Sequence, residues 1–372
     1  MHGNNVVGVL FANIHDDKVR ELTERRTMAS IPFGGRYRLI DFPLSNMVNS
    51  GISKVGVITE NNYQSLMDHL GSGKAWDLSR KREGLFLLPP FDPRGNPHSS
   101  RIESLYSIRR FLVSSKSAEF VLLSDCDVIC NIDYREMVDF HVQQGADLTI
   151  VYTRGAPPEK MSNPIVLQME PDGRVNNLLV APKEPGACCY GLNMYLLRRD
   201  LLVQLIDDCV SRNLYSFKRD LLLRSLSSYS YYGYEFSGYC HTICSPLDYY
   251  QANMELMDPA VRGQLFNPKR PIYTKVRDDM PARYGLGSQI RSSLVADGCV
   301  IEGEVDNCIL FRGVKVGKGS RLENCVILQD TVIGTGCRLN YVIADKDVLI
   351  RDQRTLTGFD SYPMFIRKGS IV

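Results

Sequence analysis

The sequence predicts an α/β domain built on a Rossmann-like, mostly parallel mixed sheet, followed by a parallel β-helix. Three observations carry this. Short apolar runs such as Val6–Ala12, Val55–Ile58 and Phe120–Leu123 alternate with helical segments as far as Tyr152, the pattern of parallel strands joined by crossovers. Beyond Leu286 the period changes, and Val316, Leu322 and Leu328 recur six residues apart with Gly or Asn between them. Three related phrases, Asn307-Cys-Ile-Leu, Asn324-Cys-Val-Ile and Asn340-Tyr-Val-Ile, start 17 and 16 residues apart, close to one three-sided coil of hexapeptides. Coils of this kind bury their apolar row only by stacking on the next. The alternative is a sandwich of short strands, and the repeat favours the β-helix.

In chain order, Val6–Ala12 is the first strand candidate, and the polar stretch 13–28 offers helical fragments at most. Ser30–Thr59 reads as turn, helix and strand: Gly34-Gly35 permits positive φ, Asp41 and Pro43 suit a helix start, Gly51 can end it, and Val55–Ile58 suits a buried parallel strand. Asn62–Leu70 is an amphipathic helix. Leu87–Ser100 is a long loop rich in Pro, Gly and Asn, a class often found near sites. Ile102–Leu112 is helical, and Phe120–Leu123 is a strand that runs into Ser124-Asp125-Cys126-Asp127. Carboxylates just past the end of a central strand lie where open α/β sheets bind ligands. A helix at Tyr134–Gln144, a strand at Asp147–Tyr152, a hairpin around Gly173, a strand at Met194–Leu197 and a helix at Leu201–Val210 follow. The Pro- and Arg-rich segment Phe266–Gly285 is a connector. The expected division is an α/β domain over 1–262, a linker over 263–285 and a β-helix over 286–372.

Composition narrows the function classes. The 372 residues are 44% hydrophobic and 23% charged, ordinary for a soluble globular protein, and a formal charge of +2 with no polybasic block argues against a nucleic-acid scaffold. No apolar run is long enough to span a membrane, and the N-terminal stretch has no basic leader, so a cytoplasmic protein is expected. The eleven cysteines form no disulfide framework. Cys126/Cys130 and Cys240/Cys244 are isolated pairs without the close spacing of zinc sites, so buried reduced thiols are the better reading.

Several phrases are specific. PFGGRYRLIDFPLSN (Pro32–Asn46), NSGISKVGVIT (Asn49–Thr59), GSGKAWDL (Gly71–Leu78), QANMELM (Gln251–Met257), PIYTK (Pro271–Lys275) and SLVADGCVIEG (Ser293–Gly303) resemble those of bacterial ADP-glucose pyrophosphorylase (glucose-1-phosphate adenylyltransferase) along nearly the whole chain. The resemblance implies a nucleotidyltransferase domain and a left-handed β-helix.

The departures from that family lie at its chemistry. Catalytic members open with a Gly-rich loop of the form GGxGTRL whose backbone N–H groups close around phosphates, which a Cβ would hinder. Here the matching segment is Asn13-Ile14-His15-Asp16-Asp17-Lys18-Val19, without glycine and with two aspartates expected to face the triphosphate. Lys18 replaces the loop arginine and Met28 the usual lysine. The GTADA-like turn becomes Ser100-Arg101-Ile102-Glu103-Ser104. By the resemblance, a metal-binding Asp falls on Asp127, the second metal carboxylate on Thr242, and sugar-phosphate positions on Lys183 and Asp220. These three remnants, Asp127, Lys183 and Asp220, leave no intact catalytic set. Mg²⁺ neutralises charge in nucleotidyl transfer, so this chain is expected to bind no cofactor firmly and Asp127 is only a weak metal candidate.

The combination resembles GlgD-type subunits, non-catalytic or weakly catalytic partners of GlgC-type subunits. That implies a heterotetramer in glycogen biosynthesis in which the partner, with Mg²⁺, converts ATP and glucose 1-phosphate to ADP-glucose and pyrophosphate. Arg25, Arg26 and Arg38 match positions that hold anionic effectors (sugar phosphate, phosphate or AMP) in some members, and guanidinium forks suit phosphate. The competing reading is salt bridges to Glu21 and Glu24. Asp125 and Asp127 could bind a cation or merely cap a strand end, and His15 and His241 read as structural or solvated. The Gly34-Gly35 turn is no P-loop, since no Gly-Lys-Ser/Thr follows. Two other functions compete with the regulatory subunit. One is an active sugar-1-phosphate nucleotidyltransferase with a remodelled loop. The other, a hexapeptide acyltransferase, is set aside because no histidine follows His241.

Overall fold

The computed structural model describes residues 5–81, 83–89, 100–183 and 186–372. Most of the loop expected at 87–100 lies outside them, although Leu87 and Leu88 belong to the strand Gly84–Leu88. A nine-stranded sheet forms the first domain. Across it run Val175–Val180, Ile165–Met169, Cys188–Arg198, Phe120–Asp125, Val6–Phe11, Lys54–Ile58 and Gly84–Leu88, and Leu148–Gly155 joins Cys188–Arg198 to Tyr231–Glu235. The four strands from Phe120–Asp125 to Gly84–Leu88 are mutually parallel. Cys188–Arg198 runs antiparallel to its neighbours, which makes the sheet mixed. The central strands Val6–Phe11 and Phe120–Asp125 are buried on both faces, as their apolar runs require, while the edge strand Gly84–Leu88 is half-buried.

The opening stretch folds as expected, with one change. Gly34 and Gly35 take positive φ between the short strands Pro32–Phe33 and Tyr37–Arg38, and the helix is Asp41–Asn49. Asp41 does not cap that helix. Its Oδ1 lies 2.6 Å from His69 Nε2 and its Oδ2 accepts the Arg38 backbone N–H at 2.9 Å, so it ties the turn to the next helix, Gln64–Leu70.

Three five-stranded parallel sheets make the second domain a three-sided β-helix, and its first strand is Arg283–Tyr284. Strands alternate their faces, so Leu310, Ile327 and Ala344 fill the interior while Ile309, Val326 and Ile343 form an outer row. That row packs into a cluster with Phe33, Tyr249 and Leu256 of the first domain. Register also resolves the 17-then-16 spacing of the repeat. Asn340 pairs with Glu323, and the positive-φ corner held by Asn307 and Asn324 passes to Tyr341, so these coils are an even 17 residues apart. Asn340 still accepts a hydrogen bond from Asn324, which accepts one from Asn307. All eleven cysteines are unpaired. Among the described residues no helix is long and apolar enough to cross a membrane.

Candidate functional site

Strand Val6–Phe11 lies between parallel partners, with Phe11 opposite Asp125. The ends of these strands therefore bring the segment after Ala12 and the turn Asp125-Cys126-Asp127 to one place. There His15 stands between two carboxylates, its Nε2 2.9 Å from Asp125 Oδ2 and 3.3 Å from Asp127 Oδ2. Arg101 opens the helix Arg101–Ser107, which Ser100 caps by accepting the Glu103 N–H. Its guanidinium donates to the same Asp125 Oδ2 and lies over Phe11 and Phe217, 4.6 and 5.1 Å from their ring centres. Lys218 approaches the same charges while donating to the Asn163 carbonyl at 2.9 Å.

Burial opposes charge throughout this cluster, and the partners decide the outcome. At His15 the Asp127 charge and the Asp125 hydrogen bond outweigh burial and hold the imidazole above its ordinary pKa. At Asp125 burial is overcome by Arg101 and then His15, so its carboxyl is held below the usual range. Burial prevails at Asp127, which is held above that range. Burial, with Arg101 nearby, pushes Lys218 down to about 8.

The loop that replaces the Gly-rich turn is closed on itself. Asp16 was expected to face incoming phosphate. Instead, its Oδ1 accepts the Met28 backbone N–H and its Oδ2 the Asn13 side-chain amide, both at 2.6 Å, and burial pushes its pKa up to about 7. The physical reason is local: an orphan N–H at the Met28 turn lies within reach of a side chain whose backbone has already turned. The N–H groups of Asp16 and Lys18 bond to the carbonyls of Asn13 and His15. Asp17 alone projects into solvent.

The other remnants scatter. Thr242 lies in the strand Cys240–Thr242, opposite Val128, and the next N–H, of Ile243, donates to the Asp127 carbonyl at 2.8 Å. The position adjoins Asp127, but a hydroxyl stands there. Lys183 is exposed. Asp220 Oδ2 accepts the backbone N–H groups of Tyr215 and Ser216, at 3.1 and 2.8 Å. His241 Nδ1 lies 3.1 Å from Glu255 Oε2.

A second concavity, open to solvent, lies where the Gly34–Arg38 turn meets the β-helix. Its walls carry Arg36, Arg38, Lys275, Arg277, Arg312 and Lys346, against one carboxylate, Asp68. Arg38 donates to the Ser65 carbonyl and hydroxyl at 2.6 and 2.9 Å, and burial lowers its pKa to about 10. Burial, then Arg38 and Arg26, push Lys346 down to about 7.

Of the three arginines singled out from the sequence, only Arg38 lines this cleft. Arg26 is buried and donates both terminal nitrogens to Asp345 of the β-helix, each at 2.9 Å. Its partner is therefore a residue far along the chain rather than Glu21 or Glu24. Arg25 is exposed beside Arg367 and Lys368 in a neighbouring depression. Sequence reading missed Arg101 and Lys218 at the acid pair and Arg277, Arg312 and Lys346 at the cleft. A signal existed for one wall: the phrase ending in Lys275 was visible, and Arg277 follows it by two.

A Rossmann-like domain with an acid pair at its strand ends, carried on a hexapeptide β-helix, defines the class of the sugar-1-phosphate nucleotidyltransferases. Residues 15–256 match the nucleotidyl transferase family and residues 279–362 the GlmU-like C-terminal hexapeptide family. The chain is 39% identical to the glycogen biosynthesis protein GlgD of Bacillus subtilis, over 100% of its own length and 98% of the relative's. It is 38% identical to GlgD of Geobacillus stearothermophilus, over 99% and 97%. It is 33% identical to a glucose-1-phosphate adenylyltransferase of Thermotoga, over 85% and 76%. The chain belongs to the bacterial ADP-glucose pyrophosphorylase family and resembles the GlgD proteins along its whole length; its β-helix is of the left-handed hexapeptide type.

Proposed function

We propose that this chain is a regulatory, catalytically impaired subunit of an ADP-glucose pyrophosphorylase in glycogen biosynthesis. It stimulates a GlgC-type partner that converts ATP and glucose 1-phosphate to ADP-glucose and pyrophosphate, within a heterotetramer. The observation that carries this reading is the closed end of the sheet, where the acid pair is bonded to His15 and Arg101, the Asp16 and Lys18 N–H groups bond within the loop, and Asp16 is tied to Met28 and Asn13. Nucleotidyl transfer draws on positioned charges and an open phosphate cradle, and neither is free here. The basic cleft between the domains is the effector site of this reading, and its ligand is an anion such as a sugar phosphate, phosphate or AMP. Eleven unpaired thiols suit a reducing, cytoplasmic setting.

A subunit that does not turn over changes its partner only by contacting the partner's active and inactive states differently. The test is a mixing assay. Each purified chain is assayed alone and together for ADP-glucose formation, with the size of each species measured. The expected result is almost no product from this chain alone and a raised rate or altered effector response on mixing. Turnover by the isolated chain comparable to catalytic relatives overturns the reading.

A further inference from the structure

The family's chemistry implies a divalent cation at the acid pair. His15, Asp125 and Asp127 bring one potential ligand atom each within 4.8 Å of one another, but the basic side chains bonded there make the set a poor fit for magnesium. Magnesium requires near-octahedral oxygen ligation and retains several waters. Here Asp125 Oδ2 is already engaged by the Arg101 guanidinium and the His15 ring nitrogen, the position beside Asp127 is Thr242, and Asp125 and Asp127 are buried to 1% and 2% exposure. One oxygen of each carboxylate, Oδ1, has no hydrogen-bond partner among the described residues, so the pair could still accept a cation if charge and space allowed.

Charge does not allow it. Arg101 cannot be deprotonated in a protein, and its guanidinium is itself buried, braced over Phe11 and Phe217. A divalent ion would enter a cluster whose carboxylates already meet Arg101 and His15, within the field of the Lys218 charge.

We propose that Arg101 and His15 are built-in counter-ions that occupy the space and balance the charge of a divalent metal, so the acid pair excludes a free divalent ion. Three chain regions, the segment after the first strand, the start of the Arg101 helix and the Asp125 strand end, are thereby joined by ion pairs. Arg101, with its fixed charge, is the larger barrier, and His15 fills the remaining gap between the carboxylates.

The inference rests on the regulatory reading, but its test is separate, because it reads metal binding rather than product. Mn²⁺ is titrated into the full chain and free ion is followed by electron paramagnetic resonance, with thermal unfolding in parallel. The expected result for the unaltered chain is binding weaker than about 1 mM and no change in Tm. Arg101→Gln, alone and combined with His15→Ala, is expected to gain one Mn²⁺ site at least about tenfold tighter, with Tm rising on the order of 5 °C at saturation. Arg101→Lys keeps the charge and is expected to stay closed, which a merely structural role for Arg101 does not require.

Stoichiometric Mn²⁺ binding by the unaltered chain overturns the inference even if that chain makes no ADP-glucose. So does a folded Arg101→Gln variant that binds no better. If the glutamine variants do not fold, the unaltered chain and Arg101→Lys decide: both must exclude Mn²⁺, and binding by either sinks the proposal. Product formation by the isolated chain without metal binding would instead count against the regulatory reading alone.

Discussion

Two charged regions of this molecule are built from the same residue types and come to opposite ends. At the acid pair, His15 and Arg101 meet Asp125 and Asp127 at bonding distance in a buried cluster. At the domain junction, six basic side chains line a cleft beside one carboxylate, and the cleft opens to solvent. The first region has nearly balanced its own charge and has little left to offer an ion. The second holds an excess of positive charge at close range, only part of it answered, as by Asp279 3.7 Å from Arg312, and on the proposed reading that excess draws a phosphate-sized anion from solution. Residue types alone therefore do not mark a binding site. What marks it is whether the charges are already answered within the chain.

Arg26 and Asp345 sit at the boundary between these cases and offer the largest break in the comparison. They form a bidentate pair buried to 3% and 2% exposure, across the domain junction and next to Lys346. Removing one member leaves an uncompensated buried charge, which typically costs about 3–5 kcal/mol. Arg26→Met is therefore expected to lower unfolding free energy by about that much in urea titration. Combined with Asp345→Leu, most of the loss should be recovered, because an apolar pair of similar volume can replace a buried ion pair. If Arg26→Met costs less than about 1 kcal/mol, the pair is not the buried weld described here, and Arg26 rejoins Arg38 as a candidate for anion binding.

The cleft itself supplies the next contrast. Arg36 and Arg277 line it without the backbone anchoring that Arg38 provides, so they can be changed with least risk to the fold. A hydrogen bond to a charged group contributes about 1.5–3 kcal/mol. Arg277→Ala is expected to weaken sulfate or phosphate binding by about 10- to 100-fold in calorimetric titration, and Arg36→Ala by a similar order. Arg25, in the adjacent depression with Arg367 and Lys368, is expected to change it by less than about twofold on replacement by alanine. Equal losses from Arg25 and Arg277 would merge the two depressions into one site.

Why part of this was visible in the sequence and part was not follows from distance along the chain. The strand before Asp125 is a local apolar run, and a carboxylate at its end inherits a location from the sheet, so the acid pair could be placed without coordinates. The β-helix was legible because its period is written in the residues themselves. Which cation answers Asp125 was not legible. Arg101 lies 24 residues away in a turn whose glycine is missing, and nothing local distinguishes a guanidinium aimed inward from a solvated one. Asp16 failed differently: its charge suggested repulsion of phosphate, while the nearest orphan N–H, that of Met28, took the carboxylate first. The cleft draws basic residues from the Gly34–Arg38 turn, the connector and the β-helix coils, so only the fold could assemble it.

The finest distinction between the two regions is their response to pH. Lys346 lines the cleft with its pKa pushed down to about 7 by burial, then by Arg38 and Arg26, while Asp345 opposes the fall and Lys368 adds to it. The unfolded lysine titrates near 10.4, so between these values the unfolded chain binds more protons and stability rises with pH on this account. Anion binding has the opposite sign, because an anion favours the protonated lysine. Sulfate carries the same charge across this range, so its affinity isolates the protein's contribution. It is expected to fall by up to about tenfold between pH 6 and pH 8, the ratio of protonated Lys346 at the two values. Lys346→Met should flatten that profile. A profile that keeps its slope in Lys346→Met would assign the titration to another group, and a cleft indifferent to pH would mean that Lys346 stays fully charged beside its arginine neighbours, as a solvated lysine would.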